Sequence, residues 1–233
     1  MEAKESYMPL EYELNGETVF HVVHCRELNG ASDRYLAMKR LLDIICSFCS
    51  IVVLSFLLFA ISVAIRLTSE GPAIYTQKRV GKNGRIFNMY KFRSMVDGAE
   101  DLERFLSPEQ IEVYETNRKL GNDPRITKAG SLLRKTSLDE LPQIFNIIKG
   151  DMSFVGPRPM MPEEIEMYGG NFGHYITVKP GLTGLWQINC RSRTRMRDRA
   201  RLDKKYIENE SLGFDISIIF KTLGVVFSKK GAC

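Results

Sequence analysis

No disulfide or metal framework is written into this sequence. Its five cysteines (Cys25, Cys46, Cys49, Cys190, Cys233) follow no common spacing. Cys46 and Cys49 have CxxC spacing, but they lie in an apolar run without histidine or a second pair, where they read as small apolar filler. Reduced, cytosol-facing thiols follow. No internal repeat or linker divides the 233 residues, so one main domain with an attachment is expected. RNP-type aromatic submotifs and a helix-turn-helix signature are also missing, which disfavours a nucleic-acid binder. Between Ile44 and Ile65 there is no charge at all.

That stretch, "IICSFCSIVVLSFLLFAISVAI", is 22 residues long. A hydrocarbon core of about 30 Å needs only ~20 apolar residues. The run begins too far along the chain, and lacks the small-residue cleavage pattern, to be a signal peptide. Membrane insertion is the reading, against a buried soluble helix. Lys39 and Arg40 precede the run; Arg66, Lys78, Arg79, Lys82 and Arg85 follow it. Basic residues on both sides give no positive-inside asymmetry. A span and a hairpin returning to its own face both stay open, and only the hairpin accounts for both basic flanks. Asp43 is expected at the headgroup level.

The formal charge of +5 is unevenly spread. Residues 1–38 hold three Lys/Arg and seven Asp/Glu; the rest hold 30 Lys/Arg against 21 Asp/Glu, a net of +9. An acidic arm precedes a basic body suited to phosphates or anionic lipid. Residues 1–35 read as a polar arm, 36–70 as the membrane region and 71–233 as the body. Within the body, residues 71–95 read as a hairpin around the Gly81-Lys82-Asn83-Gly84 turn. Residues 98–118 are helix-prone, 121–130 a loop, and 212–227 a final apolar helix. Arginine recurs at every second position from 191 to 201: one face of a strand, all round a helix. These arginines read as lipid contacts or as a solvated run.

The chemistry concentrates in "RKTSLDELPQIFNIIKGDMSFVGPRP", residues 134–159. Leu141, Ile144, Phe145 and Ile148 repeat at helical spacing, and Pro142 suits a first turn. Asp139 and Glu140 then stand at a helix N-terminus, where negative charge is favoured. Ser137-x-x-Glu140 also reads as a capping box, so a purely structural use of the pair is an alternative.

Taken in order, Lys39-Arg40, the apolar run, "TQKRVG" (76–81), "YKFRSM" (90–95), "RKTSLDELPQ" (134–143), "NIIKGDMSFVGPRP" (146–159), "KPGLTGLWQI" (179–188) and Arg191 resemble the bacterial sugar transferases, monotopic polyprenyl-phosphate phosphoglycosyl transferases. The resemblance covers about residues 36–227. It implies a mainly α fold with a small β-hairpin (α+β), one re-entrant N-terminal membrane helix and interfacial amphipathic helices, with the catalytic body at the cytoplasmic face of the bacterial plasma membrane. It also implies transfer of a sugar-1-phosphate from a UDP-sugar to a polyprenyl phosphate, with Mg²⁺, as the first membrane step of a surface glycan. No nucleic acid is implied, and oligomeric state stays open, a homo-oligomer included. By resemblance Asp139 is the nucleophile and Glu140 its partner and Mg²⁺ ligand. Arg134, Arg158, Lys91, Arg93, Arg79, Arg191 and Asp215 fall at substrate-binding positions. One position departs from the pattern. The family commonly breaks its membrane helix at Ser-Pro, whereas Ser55 is followed here by Phe56, so a bend would rest on Ser55 bonding back to its own backbone. A catalytically inactive membrane scaffold is the rival reading, and the intact carboxylate pair speaks against it.

Overall fold

The computed structural model describes residues 5–14, 17–26, 31–117, 120–189 and 196–228. The chain begins with an antiparallel pair, β1 (Glu5–Leu14) and β2 (Glu17–Arg26), with Glu5 opposite Arg26 and Leu14 opposite Glu17. A long helix follows, α1 (Asp33–Thr68). A second two-stranded sheet joins β3 (Ile74–Val80) to β4 (Ile86–Phe92). Helices α2 (Leu102–Phe105), α3 (Pro108–Asn117) and α4 (Lys128–Thr136) lead to a 3-10 turn at Leu138–Glu140. Then come α5 (Gln143–Lys149), β5 (Ser153–Val155), α6 (Ile165–Tyr168), α7 (Phe172–Tyr175) and β6 (Gly181–Thr183), with β5 and β6 parallel. Helices α8 (Leu185–Asn189), α9 (Met196–Glu208) and α10 (Leu212–Ser228) complete the described chain. The class is α+β and mainly helical, as expected.

Two compact units divide these elements: Met1–Val52, Thr76–Met89 and Gln143–Cys233 form the first, Val53–Tyr75 and Tyr90–Pro142 the second. In the first, Val80, Met160, Ile165, Tyr168, Phe172 and Tyr175 form one buried cluster, and Val155, Leu185, Tyr206, Ile207 and Ile218 another. The β5–β6 crossing needs glycine on both sides. A Cβ on Gly181 would sit 2.1 Å from Gly156 N, and one on Gly156 2.5 Å from Lys179 O. The turn between β3 and β4 puts Asn83 and Gly84 at φ 57° and 71°, left-handed positions that these two residue types tolerate best.

The foot of α1 belongs to the first unit and is held by a polar stripe at four-residue spacing, which is one helix face. The Tyr35 hydroxyl and the Lys39 ammonium both donate to Asp215. Asp43 accepts from the Ser153 hydroxyl and the Phe154 N–H, each at 3.0 Å, and Ser47 below it is fully buried. Asp43 therefore sits at 5% exposure inside protein, because strand β5 brings two donors to it.

The far end of α1 belongs to the second unit and is held by apolar packing. Ile61 and Ile65 are buried against Ala73, Phe92 and Leu133. Truncating Leu133 to alanine would cost roughly 2–5 kcal/mol, the range for a buried leucine. Between its ends the helix displays bare apolar surface: Val53 is 78% and Phe56 81% exposed. Among the described residues α1 alone is long and apolar enough to cross a membrane; its 36 residues extend about 54 Å if straight. It runs as one helix through Ser55.

Local chemistry moved two boundaries. The helix-prone stretch 98–118 breaks at Ser107-Pro108, because proline opens a helix better than it continues one and the Ser107 hydroxyl accepts from Gln110 N–H. Helix α4 begins inside the stretch read as a loop, since the Thr127 hydroxyl accepts from Gly130 N–H at 2.9 Å. Gly130 is obligatory there: its Cβ would fall 1.9 Å from Ser94 O.

Candidate active site

In the second unit α4 ends at Ser137, whose φ of 55° turns the chain sharply into the Leu138–Glu140 turn. That turn presents Asp139 and Glu140 together, both half-buried. The capping box does not form. The Ser137 side chain makes no cap bond, and the Glu140 carboxylate instead accepts from the Lys91 ammonium at 2.9 Å. Burial pushes the Asp139 carboxyl above the usual aspartate range, Lys91 and Arg134 pull it back, and the Glu140 charge adds to the rise. The result is an ionisable carboxylate held in reduced contact with water beside a neutralised neighbour.

Lys91 in strand β4 and Arg93 just past its end stand two residues apart, yet they diverge in use. Lys91 reaches Glu140, whereas Arg93 is buried and donates to Ser69 O at 3.0 Å, Ser69 Oγ at 2.9 Å and Glu70 O. Arg93 thereby ties the end of α1 to β4. Arg134 is exposed, and its Nε donates to Ser94 Oγ at 2.9 Å. The close approach of α4 to Ser94, which Gly130 permits, places that arginine.

The remaining expected residues lie in the first unit. The Gly156-Pro157-Arg158-Pro159 turn is pinned from several directions: Gly156 N–H donates to Thr183 O, Gly181 N–H to Pro157 O, and the Arg79 guanidinium to Pro159 O at 3.0 Å. Arg79 is buried, and burial together with Arg158 lowers its pKa to about 10. Arg158 lies 5.8 Å from the Trp186 ring centroid. Arg199 lies 5.4 Å from the same ring and donates to Arg158 O at 2.9 Å. It also pairs with Glu164 at 3.6 Å and Asp203 at 3.7 Å. Asp203 is raised to about 6, mainly by burial. This arginine nest was not legible as such. Arg199 is one of the alternating arginines that read as lipid contacts or a solvated run, yet it is 5% exposed. The helix explains the correction, since α9 turns Arg199 inward and leaves the Arg201 side chain 80% exposed. The i, i+4 spacing of Arg199 and Asp203 was the available signal.

Asp215 is elsewhere in that unit, buried, accepting from Tyr35, Lys39 and Tyr206. Arg191 lies outside the described residues. The structure thus brings together Asp139, Glu140, Lys91 and Arg134, and separately Arg79 and Arg158. Among the described residues no cluster of three or more His, Cys, Asp or Glu side chains forms a metal cage. Asp139 and Glu140 nonetheless offer the carboxylate oxygens that suit Mg²⁺, which typically takes one or two carboxylates and completes its shell with substrate phosphates and water.

The sequence profile of the bacterial sugar transferases matches residues 34–229. The chain belongs to that family. Relatives include an undecaprenyl-phosphate galactose phosphotransferase of Salmonella typhimurium, 45% identical over 86% of this chain and 42% of the relative. The exopolysaccharide production protein ExoY of Rhizobium meliloti is 41% identical over 83% of this chain and 87% of its own. A UDP-glucose:undecaprenyl-phosphate glucose-1-phosphate transferase of Escherichia coli is 37% identical over 91% of this chain and 48% of its own. The chain spans about half the length of several of the curated relatives it matches, and most of ExoY. The family match takes in every element from α1 to α10 and leaves β1 and β2 outside.

Proposed function

We propose that this sugar transferase moves a sugar-1-phosphate from a UDP-sugar to a polyprenyl phosphate, undecaprenyl phosphate in bacteria, through a covalent intermediate on Asp139. The observation that carries this reading is the half-buried turn in which Glu140 is ion-paired to Lys91 while Asp139 stands beside it. An Asp139 oxygen attacks the phosphorus bearing the sugar; the phosphoanhydride bond breaks and UMP leaves with its electron pair. A polyprenyl phosphate oxygen then attacks the same phosphorus, and the Asp139 carboxylate departs unchanged. One diphosphate replaces another, so the cycle needs no outside energy source.

Glu140 is the proposed Mg²⁺ ligand, and the ion would supply neutralisation of the diphosphate charge. Arg134 is proposed to bind phosphate oxygens, for which the forked guanidinium is well shaped; Arg79 and Arg158 are candidates for the same role by family position. Arg93, Arg191 and Asp215 stay candidates for substrate binding by family position alone. Relatives named for galactose and for glucose transfer make a hexose the first donor class to assay.

Residues 44–65 are proposed to enter the bilayer and return, which requires α1, continuous through Ser55 in this structure, to bend within the run, and leaves 71–233 at the cytoplasmic face. Both ends of α1 are occupied by protein, the first through Tyr35, Lys39 and Asp43, the last through Ile61 and Ile65, while the middle is bare and apolar. A cysteine introduced near residue 35 should stay unlabelled from outside intact cells; labelling there would make the segment a span. Intact-protein mass spectrometry with UDP-hexose and no acceptor tests the chemistry. A mass increase of one hexose phosphate that polyprenyl phosphate discharges is expected. Turnover without any adduct would point to direct transfer.

A further inference from the structure

At the C-terminus of α5 the chain turns at Gly150, φ 91°, and two cations converge on that glycine. Arg40 Nη2 and Lys179 Nζ each lie 3.4 Å from where a Gly150 Cβ would stand, which puts them no more than about 7 Å apart. Arg40 spends two donors on the helix end, reaching Ile147 O at 2.6 Å and Ile148 O at 2.7 Å. Lys179 is half-buried and has no hydrogen-bond or ion-pair partner among the described residues. Four charged groups face it: Arg40 and Lys82, which disfavour its charge, and Asp43 and Asp151, which favour it. Both carboxylates are committed elsewhere, Asp43 to Ser153 and Phe154, Asp151 to Asn146 at 3.4 Å. A half-buried ammonium beside a guanidinium, with neither carboxylate within ion-pair distance, is a costly arrangement unless an anion completes it.

The position says where that anion comes from. Arg40 precedes the apolar run by four residues, about 6 Å along a helix, so the cation pair stands at the level of lipid phosphates if the run is inserted. We propose that Lys179 and Arg40 form a binding site for the phosphate of an anionic membrane phospholipid, seated at Gly150 where α1 leaves the bilayer. This rests on the membrane reading above but not on the chemistry of Asp139. Such a lipid would complete the charge of the pair and fix the depth of α1 through its first bilayer contact.

The test uses the detergent-solubilised full chain and native mass spectrometry, with phosphatidylglycerol and phosphatidylcholine as probes. The wild type should retain phosphatidylglycerol preferentially. Lys179→Gln should lower that retention about fivefold, the equivalent of ~1 kcal/mol per basic residue at an anionic surface, and Lys179→Arg should restore it. Equal retention by wild type and Lys179→Gln, or no preference between the two lipids, overturns the site. Inorganic phosphate competing at the same concentration as the lipid would also overturn it, in favour of a soluble anion. Fractionation separates the two readings. Lys179→Gln should still pellet with membranes, whereas a wild type that stays soluble removes the membrane reading and this site with it.

Discussion

Two lysine–carboxylate pairs, both inside the family match, occupy contrasting surroundings. Lys91 and Glu140 meet at 2.9 Å with side chains 18% and 25% exposed, next to the Asp139 carboxylate. Lys39 and Asp215 meet at 2.5 Å with side chains 14% and 8% exposed, and Asp215 also receives the hydroxyls of Tyr35 and Tyr206. In the first pair the neighbouring carboxylate keeps contact with water. In the second, three donors already meet one carboxylate, and its visible use is to hold the foot of α1. Motif position alone makes candidates of both carboxylates; burial and partners distinguish their surroundings.

The largest effect should come from the exposed side of that contrast. Asp139→Asn is expected to lower turnover by at least about a thousandfold, as loss of a covalent nucleophile does, and to abolish the phosphosugar adduct. Its thermal midpoint should not fall, because the raised pKa means that the folded state bears a cost for the Asp139 charge at neutral pH. Activity assays, intact mass and a melting curve on one preparation check all three. An Asp139→Asn protein that still accumulates adduct would place the nucleophile elsewhere.

The buried pair should respond in the opposite way. Asp215→Asn leaves Lys39 without its counter-charge and should cost roughly 3–5 kcal/mol of stability. Lys39→Met added to Asp215→Asn should recover part of that loss. A double-mutant cycle by chemical denaturation measures it. A stable Asp215→Asn protein with an impaired KM for the UDP-sugar would break the comparison and return Asp215 to the substrate site.

The same contrast explains what could be read ahead of the structure. The long apolar helix, the 71–95 hairpin and the final helix were legible because each rests on local rules: an unbroken apolar run, a Gly-Lys-Asn-Gly turn, a 3.6-residue period. Asp139 and Glu140 stand out as candidates because their motif is contiguous. The β1–β2 hairpin had a signal that went unused, the alternation Leu10-Glu11-Tyr12-Glu13-Leu14 followed in sequence by Asn15-Gly16. The burial of Asp43 was not legible because its donors, Ser153 and Phe154, lie 110 and 111 residues away. The arginine nest was hidden for a similar reason, as Arg79, Arg158 and Arg199 come from three distant segments and alternate spacing masked the helical inside of α9.

A smaller effect distinguishes two arginines of that helix. Arg199→Gln should destabilise the protein by about 2–4 kcal/mol, because it strips Glu164 and Asp203 of a buried partner. Arg201→Gln should change stability by less than about 0.5 kcal/mol, its pair with Asp198 being solvated. Comparable losses in the two variants would mean that α9 does not turn Arg199 inward.

The finest test uses pH to sharpen the first pair. Asp139 must be ionised to attack phosphorus, so kcat/KM should fall on the acid side as the carboxylate gains its proton. Burial raises that pKa, so the acid limb should lie above the usual aspartate range. Lys91 works against burial by favouring the charged form. Lys91→Gln therefore should move the acid limb further toward neutral pH, over and above any loss of rate from releasing Glu140. Linkage fixes the matching stability trend. A carboxylate whose folded pKa exceeds its unfolded value binds its proton more tightly when folded. Its contribution is thus fully present below about pH 3.9 and lost as pH rises through the folded pKa. Removing Lys91 extends that losing window upward, whereas Asp139→Asn erases it. A pH–rate profile whose acid limb stays fixed in Lys91→Gln would mean that Lys91 serves Glu140 alone and that Asp139 owes its protonation balance to burial.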